Sequence, residues 1–169
     1  MKTKAKNWVC LVGCLLLALA APAAGWAKGK AFQVGERLPA WTLVDQHGAS
    51  LALGPGVRTL LFSREMASKD LIQELLTAEG AGFLSEHEAV YLVDISGMPS
   101  LITKMFALPK MREYPFRLFL DDDGSQTERI PVEPGKVTLL YLEDRTIKAI
   151  RHLAEKDEIR AEVVRGSLP

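Results

Sequence analysis

Cysteine is nearly absent from these 169 residues: Cys10 and Cys14 are the only two, so everything after residue 14 is without a thiol. Charge of one sign is lacking as well, with 21 basic against 21 acidic side chains, which excludes a nucleic-acid-binding tail. No G-x-G-x-x-G follows an apolar run. Gly54-Pro55-Gly56 and Gly80-Ala81-Gly82 read as turns, so a dinucleotide or flavin site of the Rossmann kind has no support. His47, His87 and His152 fall in separate segments without metal-ligand spacing. Asp121-Asp122-Asp123-Gly124 fails as a calcium loop, because that register would need a ligand at Phe119 and a glutamate at Ile130; it reads as a polar turn ending a strand. There is no internal repeat and no low-complexity linker. What remains is 48% hydrophobic residues in a length suited to one domain, long enough to bury roughly 70% of its extended surface without a disulfide or metal staple.

The first 27 residues differ in kind from the rest. Lys2, Lys4 and Lys6 precede an almost wholly apolar run, Trp8 to Ala20, and small residues follow through Ala27, the order of a secretory signal peptide. The best cleavage point follows Ala27, with Gly25 at the −3 position; cuts after Ala23 or Ala24 are also sterically acceptable. An uncleaved anchor is the alternative, but Trp8 to Ala24 is interrupted by Gly13 and Pro22 and is shorter than the ~20 residues a spanning helix prefers. Leu11-Val12-Gly13-Cys14 imitates a lipoprotein box, yet the apolar run continues past Cys14 where such a box should close it. The expected product is one domain, residues 28–169, in the periplasm, with no membrane span and no cysteine. Losing three lysines leaves it at about −3, a surface that attracts neither nucleic acid nor anionic lipid.

Within that domain, Trp41–Val44 and Leu51–Leu53 flank Asp45-Gln46-His47-Gly48 and predict a β-hairpin. Val57–Ser63 and Ala89–Ile95 are apolar runs of strand length. Between them Ala67, Leu71, Ile72, Leu75 and Leu76 recur at helical spacing, with Ser68 as a cap and Gly80 just past the end. Met98, Leu101, Ile102, Met105 and Phe106 trace the apolar face of a second helix that stops at Pro109. Phe116–Leu120, Val137–Leu142 and Thr146–His152 are further strands, the last two joined by Glu143-Asp144-Arg145. Glu155–Arg165 is a closing helix with acids in its first turn and Arg160 and Arg165 toward its end, as the helix dipole prefers. Met66, Met98, Met105 and Met111 raise a thioether copper reading. Core packing is the competing reading, because Met98 and Met105 fall on the apolar stripe.

A βαβ half joined through a helix to a ββα half is the thioredoxin arrangement. "VGERLPAWTLVDQHGASLAL", "EYPFRLFLDDDG" and "VTLLYLEDRTI" resemble the opening and two later strand-and-turn segments of redoxins. The resemblance, over about residues 32–164, is closest to small cysteine-less thioredoxin-like proteins exported to the periplasm of Gram-negative bacteria. It implies an α/β fold with a mixed central sheet, helices on both faces, and an N-terminal β-hairpin extension.

The resemblance also locates the family's chemistry. An attacking cysteine would follow the first central strand, at a helix start that favours thiolate, yet here that stretch is Phe62-Ser63-Arg64-Glu65-Met66-Ala67-Ser68-Lys69-Asp70. Serine does not cycle to a disulfide. The family's cis-proline should precede the third core strand, and the matching segment is Gly135-Lys136-Val137-Thr138. Both departures argue against disulfide exchange and peroxide reduction. The expected surface is Ser63, Arg64, Glu65, Ser68, Lys69 and Asp70 with Lys136 and Val137 facing them. Arg64-Glu65 and Lys69-Asp70 carry its charge, which the competing reading makes an ordinary solvated loop. Its expected role is non-catalytic binding of an envelope protein or peptide, with no cofactor. An oxidoreductase using a bound non-thiol cofactor such as flavin is the alternative, and a metal carrier a third class.

Overall fold

The computed structural model describes residues 29–166. The expected cleavage site at Ala27 and both cysteines lie outside them. Seven strands form one sheet: β1 (Thr42–Asp45), β2 (Ser50–Ala52), β3 (Thr59–Ser63), β4 (Ala89–Asp94), β5 (Phe119–Asp121), β6 (Val137–Glu143) and β7 (Thr146–Leu153), in the order β2-β1-β5-β4-β3-β6-β7. β3, β4 and β5 run parallel; β6 is antiparallel to β3 and to β7. The predicted hairpin is β1–β2, paired Thr42 to Ala52, and it joins the sheet through β5. Gln46 holds this junction, its amide donating to Phe116 O and accepting from Leu118 N. In the β6–β7 turn both Asp144 and Arg145 take positive φ, as the tightest hairpins require.

Side chains alternate across the central strands, so two cores form. On one face Leu61, Tyr91, Val93, Leu139 and Tyr141 meet Ile72, Leu75 and Leu76 of α1 (Met66–Glu79), Phe83 and Leu84 of α2 (Phe83–Glu86), and Ile159 and Val163 of α5 (Lys156–Arg165). On the other, Leu60, Phe62, Val90, Leu92 and Leu140 are covered by Phe32 and Leu38 from the chain before β1 and by Ile130 from the turn-rich stretch after β5. The expectation of helices on both faces is therefore corrected. The chain before β1 and the stretch ending in Ile130 take the place a helix would fill. α5 is tied to α1 by Lys156–Glu74 and Arg160–Glu79 at 2.7 and 2.6 Å.

Two helix expectations also change. Ser68 does not cap α1: Glu65 occupies the cap position with no side-chain bond there, and Ser68 Oγ donates to Glu65 O. The second predicted helix does not stop at Pro109. It runs as α3 (Ser100–Ile102), a π-helical segment (Thr103–Ala107) and α4 (Leu108–Arg112). Pro109 sits in the first turn of α4, where a missing N–H costs little. Nor is its apolar stripe buried. Met98 packs against the core, but Leu101, Ile102, Met105 and Phe106 are exposed, so periodicity here marks no interior face. The same finding limits the core reading of the methionines: Met98 and Met111 pack against it, while Met66 and Met105 stand exposed.

Candidate functional site

β3 ends at Ser63, buried, with Oγ 2.6 Å from the phenol oxygen of Tyr91 on the neighbouring strand. Burial, the largest influence, pushes the Tyr91 phenol far up, and the Ser63 bond only partly opposes it. Next in the chain, Arg64 turns back over the ends of the parallel strands. Its Nε donates to Asp94 Oδ2 at 2.7 Å and its Nη2 to Thr127 O at 2.8 Å. Asp94 closes β4 and is 6% exposed. Burial alone would raise its carboxyl, but hydrogen bonds from Ser96 and the Arg64 guanidinium prevail and hold it below the ordinary carboxylate range. Arg64 is therefore a half-buried tie, which corrects its reading as a freely solvated charge.

Glu65 reaches the facing turn, where its Oε2 accepts the Gly135 N–H at 2.8 Å. The turn is braced from within: Lys136 Nζ lies 2.7 Å from Glu133 Oε2, and Thr138 Oγ1 donates to Pro131 O at 2.7 Å. His152 lies beside both, 3.2 Å from Thr138 Oγ1 and 4.0 Å from Glu133. The predicted loop and the predicted turn thus meet. Of the eight residues expected there, Ser63, Ser68 and Val137 are buried and offer no side chain to a partner. Glu65 is exposed and Lys136 half-buried, both at the junction. Lys69 and Asp70 turn elsewhere, into a cleft between α1 and the 98–114 stretch that Met66, Met98, Met111, Tyr91 and Tyr114 also line. The four methionines noted in the sequence were its only signal, and nothing in their spacing shows that three share a cavity.

The acidic turn behaves as a turn. Asp121 is buried, and its carboxylate accepts the N–H groups of Gly124, Gln126 and Thr127. Its pKa is raised, by burial first and by the neighbouring Asp123 carboxylate. Gly124 takes φ +76°, and a Cβ there would stand 2.8 Å from Ser96 Oγ.

Solved structures share this architecture. One is peroxidoxin BcpB of Mycobacterium tuberculosis, 14% identical, with a TM-score of 0.52 over 82% of this chain and 99% of that one. A peroxiredoxin-like protein from Aquifex aeolicus, 12% identical, gives 0.52 over 82% and 90%. A thiol:disulfide interchange protein from a Bacteroides species, 18% identical, gives 0.50 over 79% and 90%. The fold is thioredoxin-like. No protein-family model matches the sequence, and no curated protein matches it. On the thioredoxin-like frame, the strand-to-helix loop after β3 carries Arg64 bound to Asp94, and the turn before β6 carries Gly135 bound to Glu65.

Proposed function

We propose that the mature protein is an exported, non-catalytic thioredoxin-like module of the cell envelope that binds a protein or peptide on the face formed by the 63–70 loop and the 133–137 turn. The observation that carries this reading is the fixed Arg64–Asp94 pair in the loop where a redox member of the fold would present a cysteine. Disulfide exchange needs a thiolate, and the chain beyond residue 14 has no thiol. Ser63 is no substitute: its partner is a phenol whose raised pKa prevents it from taking the hydroxyl proton near neutral pH. A bound peptide would instead use the exposed Glu65 carboxylate and the polar groups of the facing turn.

The test has two arms. The purified exported protein is expected to show no disulfide reductase or peroxidase turnover and no visible absorption from a bound flavin; turnover in a cysteine-free preparation overturns the proposal. Photo-crosslinking groups at the neighbouring exposed positions 67 and 134, which leave Glu65 and Lys136 in place, are expected to give one reproducible adduct in the native envelope. Glu65→Ala with Lys136→Ala should reduce it while costing about 1 kcal/mol or less of stability, since both side chains act at the surface. An adduct undiminished by that pair of changes removes the junction from the site.

A further inference from the structure

The helix between β4 and β5 fully buries none of its large apolar side chains, though Met111 packs against the core. Leu101, Ile102, Met105 and Phe106 are 66, 45, 59 and 63% exposed, and Met66 at the start of α1 is 63% exposed. Scattered apolar side chains on a surface need no explanation, but a run of them on one helix, with Met66 lining a cavity beside that helix, marks an interaction site. Beside this helix the cleft holds about 180 Å³, with Tyr91, Val93, Phe116 and Leu118 at its floor and methionines around its walls. That is below the ~300 Å³ at which small-molecule sites begin. It is close to the ~150 Å³ of a cavity that accepts benzene. The space suits one large side chain, and methionine walls can adjust to its shape.

Charge selects among occupants. From Ile95 to Arg112 there is no acidic residue; of the helix's cations Lys110 lines the cleft, while Lys104 and Arg112 face a separate hollow beside Asp45 and Asp121 to Asp123. Among the described residues none of these three, nor Lys69, makes an ion pair. Asp70 is the one acid lining the cleft, against Lys69 and Lys110. Lys69 is partly desolvated, which lowers its pKa against the opposing pull of Asp94, with Arg64 adding to the lowering; an incoming carboxylate would offset the desolvation. A second copy docked by the same patch would bring Lys69 and Lys110 against their like. The chain's own amino-terminal segment has no acid before Glu36 and is a poor match for the same reason. A bilayer presents a plane and leaves a concave cleft unfilled.

We infer that this cleft receives an aromatic or similarly large apolar side chain from a partner polypeptide whose flanking residues are acidic. The inference rests on the reading of the protein as a binding module and names the chemistry of its partner. Lys69 and Lys110 both sit at the cleft, so carboxylates flanking the anchor meet cations.

The test uses a fluorescein-labelled seven-residue peptide with a central Phe and two Glu on each side. Counterparts carry Ala in place of Phe, or Lys in place of Glu. The first peptide is expected to bind the purified protein at least about tenfold more tightly than either counterpart, more weakly at high salt. Met66→Asp at the cleft mouth, and separately Lys110→Glu, are each expected to weaken it about tenfold; both positions are exposed, and circular dichroism checks folding. Equal binding of the three peptides overturns the inference. So does co-sedimentation with vesicles of phosphatidylglycerol and phosphatidylcholine in the absence of peptide binding, or a dimer in sedimentation that Met105→Asp dissociates. An adduct at positions 67 and 134 that persists unchanged in Met66→Asp overturns the cleft and leaves the binding module standing; redox turnover removes the module itself.

Discussion

Arg64 joins stability to the loop that carries the proposed site. Its guanidinium neutralises Asp94 at the end of β4 and reaches across to Thr127 O, so the loop after β3 is fixed to two other segments. Arg64→Ala leaves a buried carboxylate with only its Ser96 partners and is expected to cost about 1.5–3 kcal/mol in urea unfolding at neutral pH. A carboxyl held below its unfolded pKa stabilises the fold above that value, and the contribution is lost as pH falls through the folded pKa. For Asp94 that places the loss below about pH 4. The acid limb of stability against pH should therefore be shallower in Arg64→Ala than in the parent. A cost under ~0.5 kcal/mol, the usual scale for surface positions, would mean the pair is not formed in solution.

Among the elements, β3 is buried along its whole length between β4 and β6. Leu61 points into the helix-covered core, and Leu61→Ala is expected to cost on the order of 2–5 kcal/mol by thermal or urea denaturation. A near-neutral result would place β3 outside the core. The strands and the long helices were legible because their signals are local: VRTLLFS and AVYLVDI are continuous apolar runs, and Ile72, Leu75 and Leu76 repeat at helical spacing. The stripe from Leu101 to Phe106 carries the same periodic signal and is exposed. Periodicity states which side chains share a side of a helix, and only packing decides whether anything lies against that side. The turn of helix at Phe83–Glu86 was too short to leave a pattern.

For the whole molecule, the expected surface charge of about −3 conceals two lysines, Lys69 and Lys110, at the cleft, with Asp70 the one acid lining it. Net charge describes solubility and long-range attraction; recognition at contact follows the local arrangement. The proposed export makes its own prediction. Intact-mass measurement of the protein recovered from the envelope should give a start at Lys28 or a few residues earlier, and thiol reagents should label nothing. A mass that retains residues 1–27, or a lipid on Cys14, would overturn cleavage.

The sequence by itself determined the order of strands and helices, the hairpin at the front of the sheet, and the lack of any thiol beyond residue 14, since each follows from short-range pattern or from composition. It also placed Glu65 and Lys136 on facing segments, through a resemblance to redoxins. Only the tertiary structure decided that Arg64 is a structural tie, that Ser63 faces Tyr91, that the helices gather on one face, and that Met66, Met98 and Met111 enclose a cleft. Those facts depend on which distant segments come to lie together: residue 64 on 94, 63 on 91, and α1 beside the 98–114 stretch. Long-range contacts of this kind leave no periodic trace along the chain.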